Sequence, residues 1–238
     1  PKITFMGAGS TVFARNVLGD CMCTPSLCES EIALYDIDAE RLEESYIILS
    51  AINKNTNGGK ATLKTYCGVE NRKEALRGAD FVVNAIQVGF YDPCTIIDFE
   101  VPKKYGLRQT IADTMGIGGI MRALRTIPVL EDFAMGTTKL KSCFKKYYDC
   151  TITYTNPMAM LSGYMQRYTN VKTVGLCHSV QVCSKELLKA LGMEDKVEGR
   201  RELIAGINHM GWLLKIEDKD GNDLYPEIKR RAAEKNAT

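Results

Sequence analysis

The sequence predicts an α/β protein, with a Rossmann-like, doubly wound parallel sheet followed by the start of an α+β substrate domain. Apolar, strand-like runs alternate with helical patterns through the first two thirds of the chain, a spacing that is typical of parallel sheets. A glycine-rich turn follows the first of these runs, as in dinucleotide-binding folds. We therefore predict a dinucleotide-binding domain at residues 1–156 and an incomplete substrate domain at residues 157–238.

The first predicted strand runs directly into Gly7-Ala-Gly9-Ser10-Thr11 and then into a helix. Glycines let the backbone approach a pyrophosphate closely, and a helix N-terminus offers unpaired N–H groups and a positive dipole end. Gly7, Gly9, Ser10 and Thr11 are therefore the predicted phosphate-binding residues. Val12 stands where the full G-x-G-x-x-G pattern has its third glycine, so the motif is incomplete and weak by itself.

The second predicted strand, at residues 31–36, ends in Asp36. A carboxylate about 20 residues after the glycine turn can accept hydrogen bonds from an adenosine ribose, which favours NAD over its 2′-phosphorylated form. The alternative for Asp36 is a turn or cap residue, and the glycines upstream favour the ribose site. Asp38 is more suitable as a helix N-cap.

Further elements continue the alternation. We predict helices at 41–53 and 70–77, strands at 61–66 and 79–86, a strand at 151–154, and helices at 158–168, 184–191 and 224–236. A strand at 203–209 leads into 212–216, and 218–222 forms a hairpin turn.

Two segments of the first domain are predicted to build a ligand site. Asp113 leads a glycine-rich loop that runs into a helix carrying Arg122 and Arg125, although an ordinary surface helix is the better interpretation for Arg125 alone. Asn156 follows the strand at 151–154, and ligands bind beyond the carboxyl ends of such strands. Asn156 is therefore expected to hydrogen-bond a substrate or cofactor.

The chain has only two histidines, His178 and His209; Cys177 precedes the first and Asn208 precedes the second. Thiolate and imidazole groups are good ligands for a transition metal, and two protein ligands would leave positions open for substrate or water. A buried cysteine with two ordinary histidines is an equally good interpretation, because the segments lack a tight metal-binding spacing.

The composition excludes several classes of protein. The formal net charge is only +2 and the basic residues form small scattered clusters, so we expect no nucleic-acid partner. The longest apolar run is interrupted by polar residues and too short to cross a membrane. The nine cysteines are odd in number and irregularly spaced, so we expect them to be reduced in a cytoplasmic protein.

Five segments together resemble glycoside hydrolase family 4, in matching order and spacing from one end of the chain to the other. They are Gly7–Phe13, Asp113–Pro128, Asn156–Ala159, Gly175–Gln181 and Ala205–Met210. The Cys177-His-Ser-Val form resembles the branch of the family that acts on α-galactosides.

This resemblance implies an NAD- and Mn2+-dependent glycosidase of carbohydrate metabolism, which departs from the usual scheme with two carboxylates. The implied reaction is oxidation at sugar C3, elimination of the aglycone, hydration and re-reduction. The metal, or another divalent ion, would polarise the developing ketone as a Lewis acid.

The resemblance also implies roles for particular residues. Cys177 and His209 would bind the metal, Asn156 and Asn208 would orient the sugar hydroxyls near C2 and C3, and Asp113 would contact the substrate. His178 would be catalytic and assist the leaving group. Gly7, Gly9, Ser10, Thr11 and Asp36 would hold NAD.

Family members are much longer, and their general base lies beyond the last residue here, so we expect a chain truncated at its C-terminus. Two other functions stay open. One is a non-catalytic NAD-binding remnant, and the other is an NAD-dependent 2-hydroxy-acid dehydrogenase, which a cysteine beside His178 fits poorly. We also expect the chain to be a homo-oligomer.

Overall fold

The computed structural model describes residues 1–109, 116–143 and 150–237. The chain divides into two compact units, Pro1–Leu176 and Cys177–Thr238. This division comes later than the predicted domain boundary after residue 156, because a helix and a strand beyond that residue belong with the sheet of the first unit.

The first unit is a six-stranded, wholly parallel sheet flanked by helices. Its strands are β1 (Lys2–Met6), β2 (Glu31–Asp36), β3 (Thr62–Cys67), β4 (Phe81–Asn84), β5 (Cys150–Thr153) and β6 (Thr173–Gly175). Its helices are α1 (Thr11–Cys23), α2 (Ala39–Thr56), α3 (Arg72–Leu76), α4 (Ile96–Lys104), α5 (Ile117–Cys143) and α6 (Met158–Tyr168). The strand order β3-β2-β1-β4-β5-β6 confirms the predicted doubly wound sheet and places the topological switch point between β1 and β4.

Successive side chains of the central strands enter two different apolar cores. Phe5 packs in a cluster with residues of α1 and α2, whereas Met6 packs in a cluster with residues of α3, α5 and α6. Because side chains of a strand alternate between the two faces of its sheet, these clusters cover opposite faces. Burial on both faces is why most residues of β1 and β4 are apolar, with Ile3, Phe5, Met6, Val82 and Val83 all buried.

The second unit is an antiparallel hairpin packed against helices. It contains α7 (Ser179–Ala190), β7 (Arg201–Ile207), β8 (Met210–Glu217) and α8 (Tyr225–Asn236). Its core is formed by Leu188, Met193, Ile216, Leu224 and Ile228.

Two local features differ from the predictions, and one predicted turn is confirmed. The strand predicted at residues 203–209 ends earlier, because the chain reverses at Asn208-His209 and Ile207 pairs with Met210. The predicted turn at 218–222 does form, and an antiparallel bridge between Glu217 and Asp223 closes it. A π-helical turn at Phe90–Thr95, followed by α4, was not predicted. No helix within the described part of the chain is long and apolar enough to cross a membrane.

Candidate cofactor and metal sites

The predicted glycine turn lies at the carboxyl end of β1. Gly7 has a φ of +88°, and the backbone N–H groups of Gly7 and Ala8 both donate to the Tyr35 carbonyl at 2.9 Å. A Cβ atom on Gly7 would lie 2.8 Å from the backbone carbonyl of Ala85. Only glycine combines this φ with so close an approach of β1 to the end of β4.

Asp36 holds the same turn from the end of β2. Its Oδ2 accepts a hydrogen bond from the Gly9 backbone N–H at 2.6 Å, and its Oδ1 accepts from the N–H groups of Ile37 and Asp38 at 2.8 and 3.1 Å. The turn and the acid 27 residues later are therefore one unit of structure. The Asp38 carboxylate accepts from two backbone N–H groups at the start of α2, which confirms the predicted N-cap.

The glycine turn and Asp36 line a cavity of about 550 Å3 in the first unit. Gly7, Gly9 and Ser10 lie on its wall, whereas Thr11 is the first residue of α1 and is not part of the lining. Ser10 takes the N-cap position of α1 and makes no capping hydrogen bond with its side chain. The cavity is in the size range of small-molecule sites and lies at the switch point, where a dinucleotide is expected.

Several lining residues were not found by sequence reasoning. Arg41 from α2 and Arg72 from α3 reach the cavity, as does the segment 85–92 after β4. The Arg72 guanidinium lies 4.7 Å from the centre of the Phe133 ring, donates to the Tyr35 hydroxyl at 3.3 Å and pairs with Asp132. These partners are far apart in sequence, so no local pattern could have indicated them.

The two arginines of α5, Arg122 and Arg125, have different surroundings in the structure. Arg125 is half-buried and pairs with the buried carboxylate of Asp98 on α4, with an Nη2–Oδ2 distance of 2.6 Å, so it is more than an ordinary surface residue. The hydrogen bonds that Arg125 donates to Asp98 raise the pKa of Arg125, so its charge is retained. Burial lowers the pKa of Arg122, one turn earlier.

The second unit brings together the two predicted metal ligands, Cys177 and His209. Cys177 Sγ lies 3.5 Å from His209 Nε2 and 3.1 Å from the Ser179 hydroxyl. A thiolate and an imidazole on one tetrahedral ion, at bond lengths of about 2.3 and 2.1 Å, would have their donor atoms roughly 3.6 Å apart. The observed separation therefore fits two ligands of a single metal ion.

Two features of the β7–β8 turn also fit a ligand site. His209 has a φ of +68°, a left-handed conformation that is costly for a residue with a side chain. The side-chain nitrogen of Asn208 is buried and has no hydrogen-bond partner among the described residues. Backbone strain clusters at binding sites, and a buried amide without a partner is rare in folded proteins, so the two features together favour a ligand here.

The remaining predicted residues lie in different places. Asn156 is half-buried between β5 and α6 in the first unit, and His178 is exposed at the N-cap position of α7 in the second. Asp113 lies outside the described residues. Among those that are described, no group of three or more His, Cys, Asp or Glu side chains could hold a metal, so the protein ligands found are Cys177 and His209.

Comparison with known proteins identifies the family. A profile described as "Family 4 glycosyl hydrolase" matches residues 2–193, and the profile of the C-terminal domain of the same family matches residues 204–238. The chain belongs to glycosyl hydrolase family 4.

Similar proteins within the family differ in the substrates for which they are named. The chain is 60% identical over its whole length to an alpha-galactosidase of Bacillus subtilis, of which it covers 52%. Its structure matches a candidate glucosidase, lplD, of the same organism with a TM-score of 0.79 and 28% identity, covering 98% of this chain and 52% of that one.

A 6-phospho-alpha-glucosidase from gut microorganisms, solved with NAD and glucose-6-phosphate, matches with a TM-score of 0.78 and 26% identity. The match covers 97% of this chain and 49% of that one. The chain thus spans about half the length of these relatives.

Proposed function

We propose that the chain is the NAD- and metal-binding part of an α-galactosidase that uses NAD and Mn2+. The observation that carries the proposal is the agreement of two independent features. The chain is 60% identical to an alpha-galactosidase, and it contains both a dinucleotide-type cavity and a Cys–His pair at metal-binding separation. A hydroxy-acid dehydrogenase would have no use for that pair, so we do not favour this alternative.

The first unit fits NAD by its shape. Gly7 and Gly9 let the turn pack closely against Ala85 and Asp36, because a Cβ atom on either glycine would lie 2.8 Å from its neighbour. This packing brings the turn to the N-terminus of α1, where a pyrophosphate would bind. Asp36 keeps one lone pair of its Oδ2 available for a ribose hydroxyl while it holds the turn, because a carboxylate oxygen can accept more than one hydrogen bond. The carboxylate also repels a 2′-phosphate, which selects NAD over NADP.

The second unit fits a divalent metal by its donor atoms. Cys177 would lose its thiol proton on binding, and His209 would offer the lone pair of Nε2. Two such ligands leave positions open for the hydroxyl groups of a sugar. NAD would supply reversible hydride transfer and the metal would supply Lewis-acid polarisation when both are bound.

The other roles follow as proposals. Asn156 and Asn208 would each donate and accept hydrogen bonds at sugar hydroxyls, since an amide side chain does both. His178 would hand a proton to the leaving group, because an imidazolium can act as a general acid. The predicted contact of Asp113 with the substrate, the homo-oligomer and the cytoplasmic location stay predictions.

The test is hydrolysis of a nitrophenyl α-galactoside by the reduced chain with NAD+ and Mn2+, compared with the β-anomer. Release of nitrophenol that needs both additions, is specific for the α-anomer and is lost in Cys177→Ser would support the proposal. Binding of NAD+ and metal without hydrolysis would support the two binding sites and contradict catalysis by this chain alone, as expected of a non-catalytic remnant. Oxidation of free hydroxy acids would favour the dehydrogenase instead.

A further inference from the structure

One wall of the dinucleotide cavity is formed by a short loop with an unusual backbone. The loop follows β4 and includes Val88, Gly89 and Phe90, all of which line the cavity. Gly89 and Phe90 have φ values of +83° and +55°. Phe90 is not a glycine, so its left-handed conformation costs free energy and persists only if its surroundings impose it.

Contacts from the following helical turn hold the end of this loop. The Thr95 hydroxyl donates to the Phe90 carbonyl at 3.2 Å and accepts from the Gln87 amide at 3.0 Å. A Cβ atom on Gly89 would lie 2.4 Å from the Cys94 sulfur and 3.2 Å from Nε of Arg125. The loop is thus in close contact with the arginine side chain.

Arg125, on α5, connects the loop to Asp98 on α4. Its Nε donates to the Val88 carbonyl at 3.2 Å, while Nη1 and Nη2 donate to the two carboxylate oxygens of Asp98 at 3.3 and 2.6 Å. The planar guanidinium therefore binds one carboxylate with two nitrogens and a backbone carbonyl with the third. A lysine ammonium has no fixed fork of donors with which to make both contacts.

We propose that Arg125, held by Asp98, is a positioning residue that fixes Val88–Phe90 and thereby sets the affinity of the cavity for an adenine dinucleotide. The link to affinity rests on the proposed function, since it requires that the cavity binds NAD. The effect of Arg125 on the loop does not rest on the proposed function, because it concerns the unliganded chain. A residue that does not itself line the cavity therefore controls the shape of the cavity wall.

The test uses the full chain with Arg125→Lys and Asp98→Asn. Arg122→Lys is the matched control, because it lies one turn earlier on α5 and its side chain makes no described hydrogen bond to the loop. Amide hydrogen exchange of residues 87–94 is measured without ligand, and NAD+ affinity is measured by calorimetry. Thermal unfolding of each unliganded variant shows whether the fold is kept.

We expect Arg125→Lys to speed exchange in this segment and to weaken NAD+ binding by about tenfold, the effect of losing one charge-assisted hydrogen bond. Asp98→Asn should weaken it less, because Nε still reaches Val88. Arg122→Lys should change neither quantity. In Arg125→Ala, added methylguanidinium should restore part of the lost affinity, which a general loss of stability would not allow.

The outcomes separate the two proposals. Wild-type chain that binds no NAD+ contradicts the proposed function, while faster exchange in Arg125→Lys would still support the role of Arg125 in the loop. Unchanged exchange and unchanged affinity in a folded Arg125→Lys chain would overturn the inference. An equal effect of Arg122→Lys would overturn it as well, because the effect would then belong to the helix as a whole.

Discussion

Replacing His209 with glycine is expected to stabilise the chain and to remove a metal ligand at the same time. His209 is the second residue of the two-residue turn between β7 and β8, and its φ is +68°. Glycine is the usual residue in this conformation because it has no Cβ atom. A histidine in this place therefore lowers stability, and a ligand role would explain why the chain carries one there.

The size of the effect follows from two opposing terms. The left-handed conformation costs a residue with a side chain about 1–2 kcal/mol. Glycine loses more backbone entropy than histidine on folding, and this cost offsets about 0.5–1 kcal/mol of the free energy gained by relieving the strain. We expect a net stabilisation of about 0.5–1 kcal/mol, or about 1–4 °C in the unfolding midpoint.

The assay is thermal unfolding of the unliganded chain together with a Co2+ titration that follows thiolate-to-metal charge-transfer absorption. His209→Gly should unfold at a higher temperature and bind Co2+ at least tenfold more weakly. His209→Ala is the control, because it removes the imidazole and keeps the strained backbone. A less stable His209→Gly chain would refute the strain argument, and unchanged Co2+ affinity would refute the ligand role.

Two further predictions concern the glycine turn and a buried carboxylate. Gly7→Ala places a Cβ atom 2.8 Å from the backbone of Ala85 at a φ of +88°, so we expect a loss of stability of about 1–3 kcal/mol in urea unfolding and no measurable NAD+ binding; a stable variant that binds normally would contradict this. Hydrogen bonds from Asn222 lower the pKa of Asp218 to about 2. Because the folded pKa lies below the unfolded value of about 3.9, this stabilisation is present above about pH 4 and is lost as the pH falls toward 2. The stability difference between wild type and Asp218→Asn should therefore shrink over that range; a constant difference would contradict the assignment.

The sheet could be predicted from the sequence because its strands are buried on both faces. Continuous apolar runs such as residues 32–35 and 81–83 have few alternatives in a globular protein, and the strands that contain them pair in parallel. The glycine turn and Asp36 were predictable for a different reason, because a fixed sequence spacing links them. Gly9 and Asp36 are indeed joined by a hydrogen bond.

The missed features depend on contacts between distant residues. The turn at Asn208-His209 contains no glycine, so nothing in the sequence indicated that one of its residues has a left-handed conformation. Arg125 was interpreted as a surface residue because its partner, Asp98, lies 27 positions earlier in a helix that was not predicted. Helix α4 contains Pro102 and a mixed apolar pattern, which conceal it from periodicity arguments.

The most direct test of the account is calorimetric titration of the reduced chain with NAD+ and with Mn2+, repeated on Cys177→Ser. We predict that wild type binds both and that the variant keeps NAD+ affinity while losing the metal, because the dinucleotide cavity is lined entirely by residues of the first unit and Cys177 belongs to the second. Absence of NAD+ binding by the wild-type chain would contradict the central claim. Undiminished Mn2+ binding by Cys177→Ser would contradict the assignment of the metal ligands.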